Sequence, residues 1–124
     1  MTHTALVALG GLLGSVARYW LVMLTTRLHG SPFPLGTLAV NVVGSFVLGL
    51  VMVLALEREF IGAHARTFLT IGVCGGFTTM STFSHETVVL LRDGQTALAF
   101  ANVLATTCAC FAAIWLGHTI ARSL

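Results

Sequence analysis

Two long runs of this sequence contain no charged residue, and their length restricts what the chain can fold into. The runs cover residues 35–56 and 95–121, and each exceeds the roughly 20 residues with which an α-helix crosses the hydrocarbon core of a bilayer. Hydrophobic residues make up 56% of the chain and charged residues 8%, which is too apolar for a soluble domain of this size. We therefore predict an integral membrane protein.

Two further segments are long enough to span a membrane if each buries one charge. Residues 4–26 contain Arg18, and residues 67–91 contain Glu86. The sequence thus predicts an all-α membrane protein in which residues 1–124 form a single transmembrane domain. Its four transmembrane helices are expected at about residues 4–26, 35–56, 67–91 and 96–121.

The third of these segments contains a stretch, Gly72 to Glu86, that is unfavourable for a continuous helix. It reads GVCGGFTTMSTFSHE, with paired glycines followed by five hydroxyl side chains. Glycine costs a helix about 1 kcal/mol relative to alanine, and hydroxyls compete for backbone hydrogen bonds. We predict a break here, which must be buried in protein or line an ion-filled cavity. The alternative is a continuous, glycine-packed helix whose hydroxyls bond back to its own carbonyls.

Two other segments carry polar or small residues at helical spacing. One such stripe, in the second span, consists of Thr37, Asn41, Ser45 and Gly49, and one in the fourth span consists of Asn102, Thr106, Cys110 and Gly117. We expect the two stripes to face each other. Their donors, with those of the third span, suit a small anion that must exchange its water shell for protein groups. Hydrogen bonding between helices is the alternative use of the same side chains.

The arginines give further constraints. Arg18 shares a helical face with Gly10 and Gly14, where it either attracts an anion or extends to the membrane surface. Four spans place three arginines on one side of the membrane and two on the other, namely Arg58, Arg66 and Arg122 against Arg27 and Arg92. This near balance is compatible with insertion in both orientations, and one fixed topology is the alternative.

No set of residues indicates hydrolytic or group-transfer chemistry, so we do not expect an enzyme. The hydrogen-bond donors that remain are Asn41, Thr79, Ser81, Thr82 and Thr106, and aromatic rings such as that of Phe83 add partly positive edges. A chain with four helices cannot enclose an ion path alone, so we expect an oligomer.

Three motifs of the chain resemble those of the Fluc fluoride channels, also called the CrcB family. They are Gly11-x-x-Gly14-x-x-x-Arg18, Gly36-Thr-Leu-x-x-Asn41, and Gly75-Gly-Phe-Thr-Thr-x-Ser-Thr-Phe-Ser-x-Glu86. The resemblance implies an antiparallel, dual-topology homodimer in the bacterial inner membrane, through which cytoplasmic fluoride leaves passively. It also implies a structural sodium ion bound by the backbone carbonyls of Gly75 and Thr78.

The resemblance assigns an ion pathway as well. Asn41 would donate to fluoride, position 80 and Phe83 would meet the ion edge-on, Glu86 would lie at the end of the pore, and Arg18 would lie in the vestibule. The complete pathway would comprise Asn41, Thr79, Met80, Ser81, Thr82, Phe83, Glu86 and Thr106. One departure is Met80, which stands where the family usually has phenylalanine. Methionine fills the same space but lacks the positive ring edge.

Two rival functions use the same features. A small four-helix, proton-coupled multidrug exporter needs a carboxylate within its membrane spans, commonly in the first, whereas the first span here has Arg18 and no acid. A non-conducting membrane assembly protein would use the polar stripes for packing only.

Overall fold

The computed structural model describes residues 2–124, which contain helices and no strand. The helices are α1 (Thr2–His29), α2 (Leu35–Leu56), α3 (Ala63–Thr67), α4 (Gly75–Phe77), α5 (Met80–Arg92) and α6 (Thr96–Ser123), with a π-helical segment, Phe68–Cys74, between α3 and α4. Three of them, α1, α2 and α6, are long and apolar enough to cross a membrane. The all-α prediction is therefore confirmed.

The third hydrophobic segment is divided in the way that its sequence predicts. Thr78 and Thr79 are extended, with φ/ψ of −80°/157° and −151°/113°, and they separate α4 from α5. Gly75 itself is helical, at φ −63° and ψ −38°. The break thus follows the glycine pair and does not coincide with it.

The glycines serve close packing of α1 on the first half of this segment. A Cβ atom added to Gly10 would lie 2.6 Å from the Phe68 carbonyl oxygen, and one added to Gly76 would lie 2.6 Å from that of Gly11. Both distances are too short for real atoms, so the two backbones meet only because side chains are absent. The small face predicted for α1 is therefore a helix contact, as in other membrane bundles.

Helices α2 and α6 are packed equally closely along their polar stripes. A Cβ atom at Gly49 would collide with the backbone of Ile114, and one at Gly117 would collide with that of Phe46. Thr37, Asn41, Asn102 and Thr106 are all buried. Most of the two predicted stripes thus lies in the interior of the bundle, whereas Ser45 and Cys110 are half-buried.

An ion pair joins the end of α6 to the residue that follows α2. The Arg122 guanidinium lies 2.7 Å from the Glu57 carboxylate, and Arg58 donates to the Arg122 carbonyl. The hydrogen bond from Arg122 holds the pKa of Glu57 below its ordinary value of 4.5. Because both side chains are largely exposed to solvent, the pair adds little to stability in water.

Candidate functional site

A groove of about 450 Å³ lies beside the break, between α2, the third segment and α6. Its lining includes two residues with large exposed side chains, Met80 at 72% and Phe111 at 71%, so the groove is open at the protein surface. The groove gathers a large part of the predicted site, namely Asn41, Gly75, Thr78, Thr79, Met80, Phe83 and Thr106. Residues from three separate parts of the sequence therefore meet at the break.

Asn41 is bonded to both backbone groups of Thr79. Its side-chain oxygen accepts from the Thr79 N–H at 2.8 Å, and its Nδ2 donates to the Thr79 carbonyl at 3.1 Å. Asn41 and Thr79 are 9% and 7% exposed, so water does not compete strongly for these groups. Asn41 thus hydrogen-bonds from α2 to the third segment, which is the alternative use predicted for the polar stripes. Its amide nitrogen carries a second hydrogen, which remains for another acceptor.

The Thr79 side chain begins α5. Its Oγ1 accepts from the Thr82 N–H at 3.2 Å, as the side chain at a helix N-cap commonly does. The same oxygen donates to Thr82 Oγ1 at 3.0 Å and lies 3.3 Å from Ser81 Oγ. Three predicted pathway hydroxyls therefore form one cluster at the first turn of α5, although Ser81 and Thr82 do not line the groove.

These bonds leave two particular carbonyls without their helical partners. In a continuous helix the Thr79 N–H would bond to Gly75, but it donates to Asn41 instead. The Thr82 N–H would likewise bond to Thr78, but it donates to the side chain of Thr79. Gly75 and Thr78 both line the groove, and carbonyl oxygens without helical partners are of the type that a hard cation prefers as ligands.

Side-chain metal ligands do not compete with these oxygens. No group of three or more histidine, cysteine, aspartate or glutamate residues that could hold a metal ion occurs within residues 2–124. Backbone carbonyls suit sodium, which prefers oxygen ligands. The residues at the break therefore fit the sodium ion that the resemblance implies.

Glu86 belongs to a second cavity, of about 440 Å³, at the C-terminal end of α5. Thr37 donates to Glu86 Oε1 at 2.9 Å, while Glu86 Oε2 is buried without a hydrogen-bond partner among the described residues. His29, His85 and Asp93 line the same cavity. Glu86 is thus separated from the predicted pathway residues that line the groove at the break, and Ser81 and Thr82 line neither cavity. Thr37, a member of the predicted stripe on α2, is the hydrogen-bond partner of Glu86.

The stripe on α6 connects to α5 through a residue that the sequence did not single out. Asn102, 1% exposed, donates to Thr87 Oγ1 at 2.9 Å and accepts from Thr106 Oγ1 at 3.3 Å. Thr87 in turn donates to the Phe83 carbonyl at 2.7 Å. A buried asparagine requires a partner, and this requirement is the signal that could have identified Thr87.

The predicted vestibule residue is not part of either cavity. Arg18 lies half-buried on α1 and lines neither the groove at the break nor the cavity beside Glu86. The single chain therefore does not place Arg18 with the other predicted site residues.

Comparison with known proteins gives a consistent result over the whole chain. Residues 5–118 match the family described as "CrcB-like protein, Camphor Resistance (CrcB)". The chain is 45% identical to a "Fluoride-specific ion channel FluC" of Geobacter sp. (strain M21) and 48% identical to one of Geobacter sulfurreducens, with both chains fully covered. A third relative with that name, from Opitutus terrae, is 48% identical over 95% of this chain and 91% of its own.

Proposed function

This chain belongs to the CrcB family, and we propose that it is a fluoride-selective channel through which cytoplasmic fluoride leaves a bacterium passively across the inner membrane. Relatives that match it from end to end carry the name of such a channel. The observation that carries the proposal is the groove at the break, where hydrogen-bond donors and aromatic rings meet without a fixed charge. Such a lining suits a small, strongly hydrated anion.

The proposed path begins at this groove. Fluoride would accept from the second amide hydrogen of Asn41, against the ring edge of Phe83. The Thr106 hydroxyl, which otherwise donates to Asn102, would turn to the ion. The hydroxyl cluster of Thr79, Ser81 and Thr82 would supply further donors beside Met80 by turning from its internal bonds toward the ion. Glu86 with Thr37 would lie at one end of the path. Close donors compensate the large cost of dehydrating fluoride, whereas chloride is too large to contact all of them.

A second copy of the chain would close the groove. Its open side carries the exposed apolar side chains of Met80 and Phe111, which a membrane protein can cover with protein or lipid. An antiparallel homodimer is compatible with the near balance of arginines at the two ends. Terminal tags accessible from both sides of the membrane would support it, and labelling from one side only would contradict it.

Sodium would be held at the centre of this dimer by the carbonyl oxygens of Gly75 and Thr78 of both copies. These two oxygens lack their helical donors because Asn41 and the side chain of Thr79 take those donors. The ion would neutralise the partial negative charges of the freed carbonyls and fix the break in one conformation.

Fluoride release from liposomes that contain the purified protein tests the proposed function. A fluoride electrode would follow release with and without a potassium ionophore, and the experiment would be repeated with chloride. We expect release that requires the ionophore and is absent for chloride, because a channel moves charge. Ionophore-independent release would instead indicate proton-coupled exchange, and no release would indicate a non-conducting protein.

A matched pair of variants on α6 connects the measurement to the groove. T106V removes a buried hydroxyl from the groove, whereas T119V removes an exposed hydroxyl that bonds only within its own helix. We expect T106V to slow fluoride release and T119V to leave it unchanged. Equal rates in both variants would exclude Thr106 from the path.

A further inference from the structure

A groove of about 450 Å³ lies along α1, and its lining differs from that of the two cavities described above. All of its lining residues belong to α1, namely Ala17, Trp20, Leu21, Met23, Leu24 and Arg27. Trp20 is 62% exposed and Leu24 is 53% exposed. The groove therefore faces outward from the bundle, where a membrane-spanning helix meets lipid unless a second copy covers it.

The orientation of α1 keeps this face outward. Val22 and Thr25 lie on another side of the same turns, where they meet Gly36 of α2 so closely that a Cβ atom there would lie 2.7 Å from the Thr25 hydroxyl. On the outward side, the groove includes the short side chain of Ala17 at one end, and this end is called the recess. The groove is thus a fixed feature of the packed helix.

The length of the groove matches one leaflet of a bilayer. From Ala17 to Arg27 the helix rises roughly 15 Å, which is about half of the hydrocarbon thickness. Arg27 directly follows the apolar residues 4–26. One end of the groove therefore lies near the middle of the bilayer, and the other lies at the level of the lipid headgroups.

Arg27 has the chemistry to bind a phosphate at that level. It lies in the last turn of α1, and the only ion pair in the described part of the chain joins Arg122 to Glu57. The planar donors of the Arg27 guanidinium are therefore not engaged by a carboxylate in the described part of the chain, and a guanidinium binds phosphate through two parallel hydrogen bonds.

We propose that this groove binds one anionic phospholipid. Its phosphate lies on Arg27, and one acyl chain lies over Leu24 and Trp20 and ends in the recess at Ala17. A zwitterionic headgroup brings its own cation close to Arg27, whereas an anionic headgroup does not, so the site selects the anionic lipid. The groove is independent of the proposed fluoride path, because it shares no residue with the groove at the break.

Quenching of the Trp20 fluorescence by brominated lipids can measure lipid binding at this groove. The chain has two tryptophans, so W115F leaves Trp20 as the single fluorophore. The full-length variant would be reconstituted into symmetric phosphatidylcholine vesicles containing equal fractions of either phosphatidylglycerol or phosphatidylcholine brominated in mid-chain. Bromine quenches tryptophan on contact, and we expect a preference of about five-fold for the brominated phosphatidylglycerol.

Three further substitutions in the W115F protein distinguish lipid binding in the groove from attraction to surface charge in general. R27Q should abolish the preference, whereas R92Q, the same change at the end of α5, should retain it. A17L fills the recess without a change in charge and should also lower the preference. Equal quenching by the two lipids before substitution, or a preference that survives R27Q, would overturn the proposal. If A17L left the lipid preference unchanged, the preference would arise from the charge of Arg27 alone. The proposal that the groove binds the lipid would then be wrong.

Discussion

The Asn41 side chain replaces both backbone hydrogen bonds that Thr79 loses at the break. Its oxygen accepts from the Thr79 N–H at 2.8 Å, and its nitrogen donates to the Thr79 carbonyl at 3.1 Å. These bonds join α2 to the third segment across 38 positions of sequence. The extended conformation is therefore stabilised by a side chain, and the same bond directs the Thr79 N–H away from Gly75.

Replacement of Asn41 with leucine should destabilise the break. N41L keeps the approximate volume but leaves two buried backbone groups unpaired, at about 1–3 kcal/mol each. We expect a lower free energy of unfolding in detergent and at least a ten-fold slower fluoride release. N102L is the matched control, because Asn102 is also buried, at 1% exposure against 9% for Asn41, but makes no bond to Thr79. Unchanged release in N41L would remove Asn41 from the path.

Sodium should stabilise the protein through the carbonyls of Gly75 and Thr78. Replacement of sodium by a large organic cation is expected to lower the unfolding temperature, because the folded protein then loses a ligand that the unfolded chain does not bind. N41L should weaken this dependence on sodium, since the break then lacks the side chain that holds Thr79 extended, whereas N102L should retain it. Unfolding temperatures that do not vary with sodium in the parent protein would contradict the proposed ion.

The sequence predicts the helices well because the signals for them, apolar runs and the residues that flank them, are local in the sequence. The apolar residues 35–56 have the same bounds as α2, since Pro34 and the charged Glu57 flank them. Helix α1 extends past the predicted residues 4–26 to His29, because hydropathy measures the apolar part of a helix and not its hydrogen bonds. It ends before Gly30, whose φ is +49°.

The details of the site depend on contacts that sequence periodicity does not contain. The break follows Gly75 and Gly76 because Asn41 bonds to Thr79, a relationship between distant residues. The bond from Thr37 to Glu86 joins residues 49 positions apart. A stripe of polar residues predicts which face of a helix is buried, but partners on another helix follow only from the packed structure.

The bond between Thr37 and Glu86 should appear as an energetic coupling. T37V removes the donor from a carboxylate whose other oxygen already lacks a partner, so we expect a loss of about 1–3 kcal/mol in the free energy of unfolding. In E86Q the same threonine substitution should cost less, which a double-mutant cycle measures. T26V is the control, since Thr26 lines the same cavity but bonds within α1. Strictly additive effects would mean that the bond contributes nothing.

The ion pair between Glu57 and Arg122 should contribute to stability in a defined range of pH. The hydrogen bond from Arg122 holds the pKa of Glu57 below 4.5 in the folded protein. Its contribution is therefore complete above about pH 4.5 and is lost as the pH falls through the lowered value. E57Q should remove this part of the acid sensitivity, and E59Q, in the same loop, should not. Thermal unfolding between pH 3 and 7 measures both, and identical profiles for E57Q and the parent would contradict the assignment.

Met80 offers the sharpest test of the proposed path, because the resemblance to the family implies a phenylalanine at this position. Its side chain is 72% exposed and lines the groove, so substitution there leaves the packed interior intact. M80F should conduct fluoride at least as fast as the parent, since a ring supplies the positive edge that methionine lacks. M80A, which removes the side chain, should conduct more slowly or lose selectivity over chloride. Fluoride and chloride release from liposomes would measure each variant, with equal protein content and dimer assembly verified beforehand. A large loss of fluoride release in M80F would mean that position 80 does not face the ion and that the path through the groove is wrongly assigned.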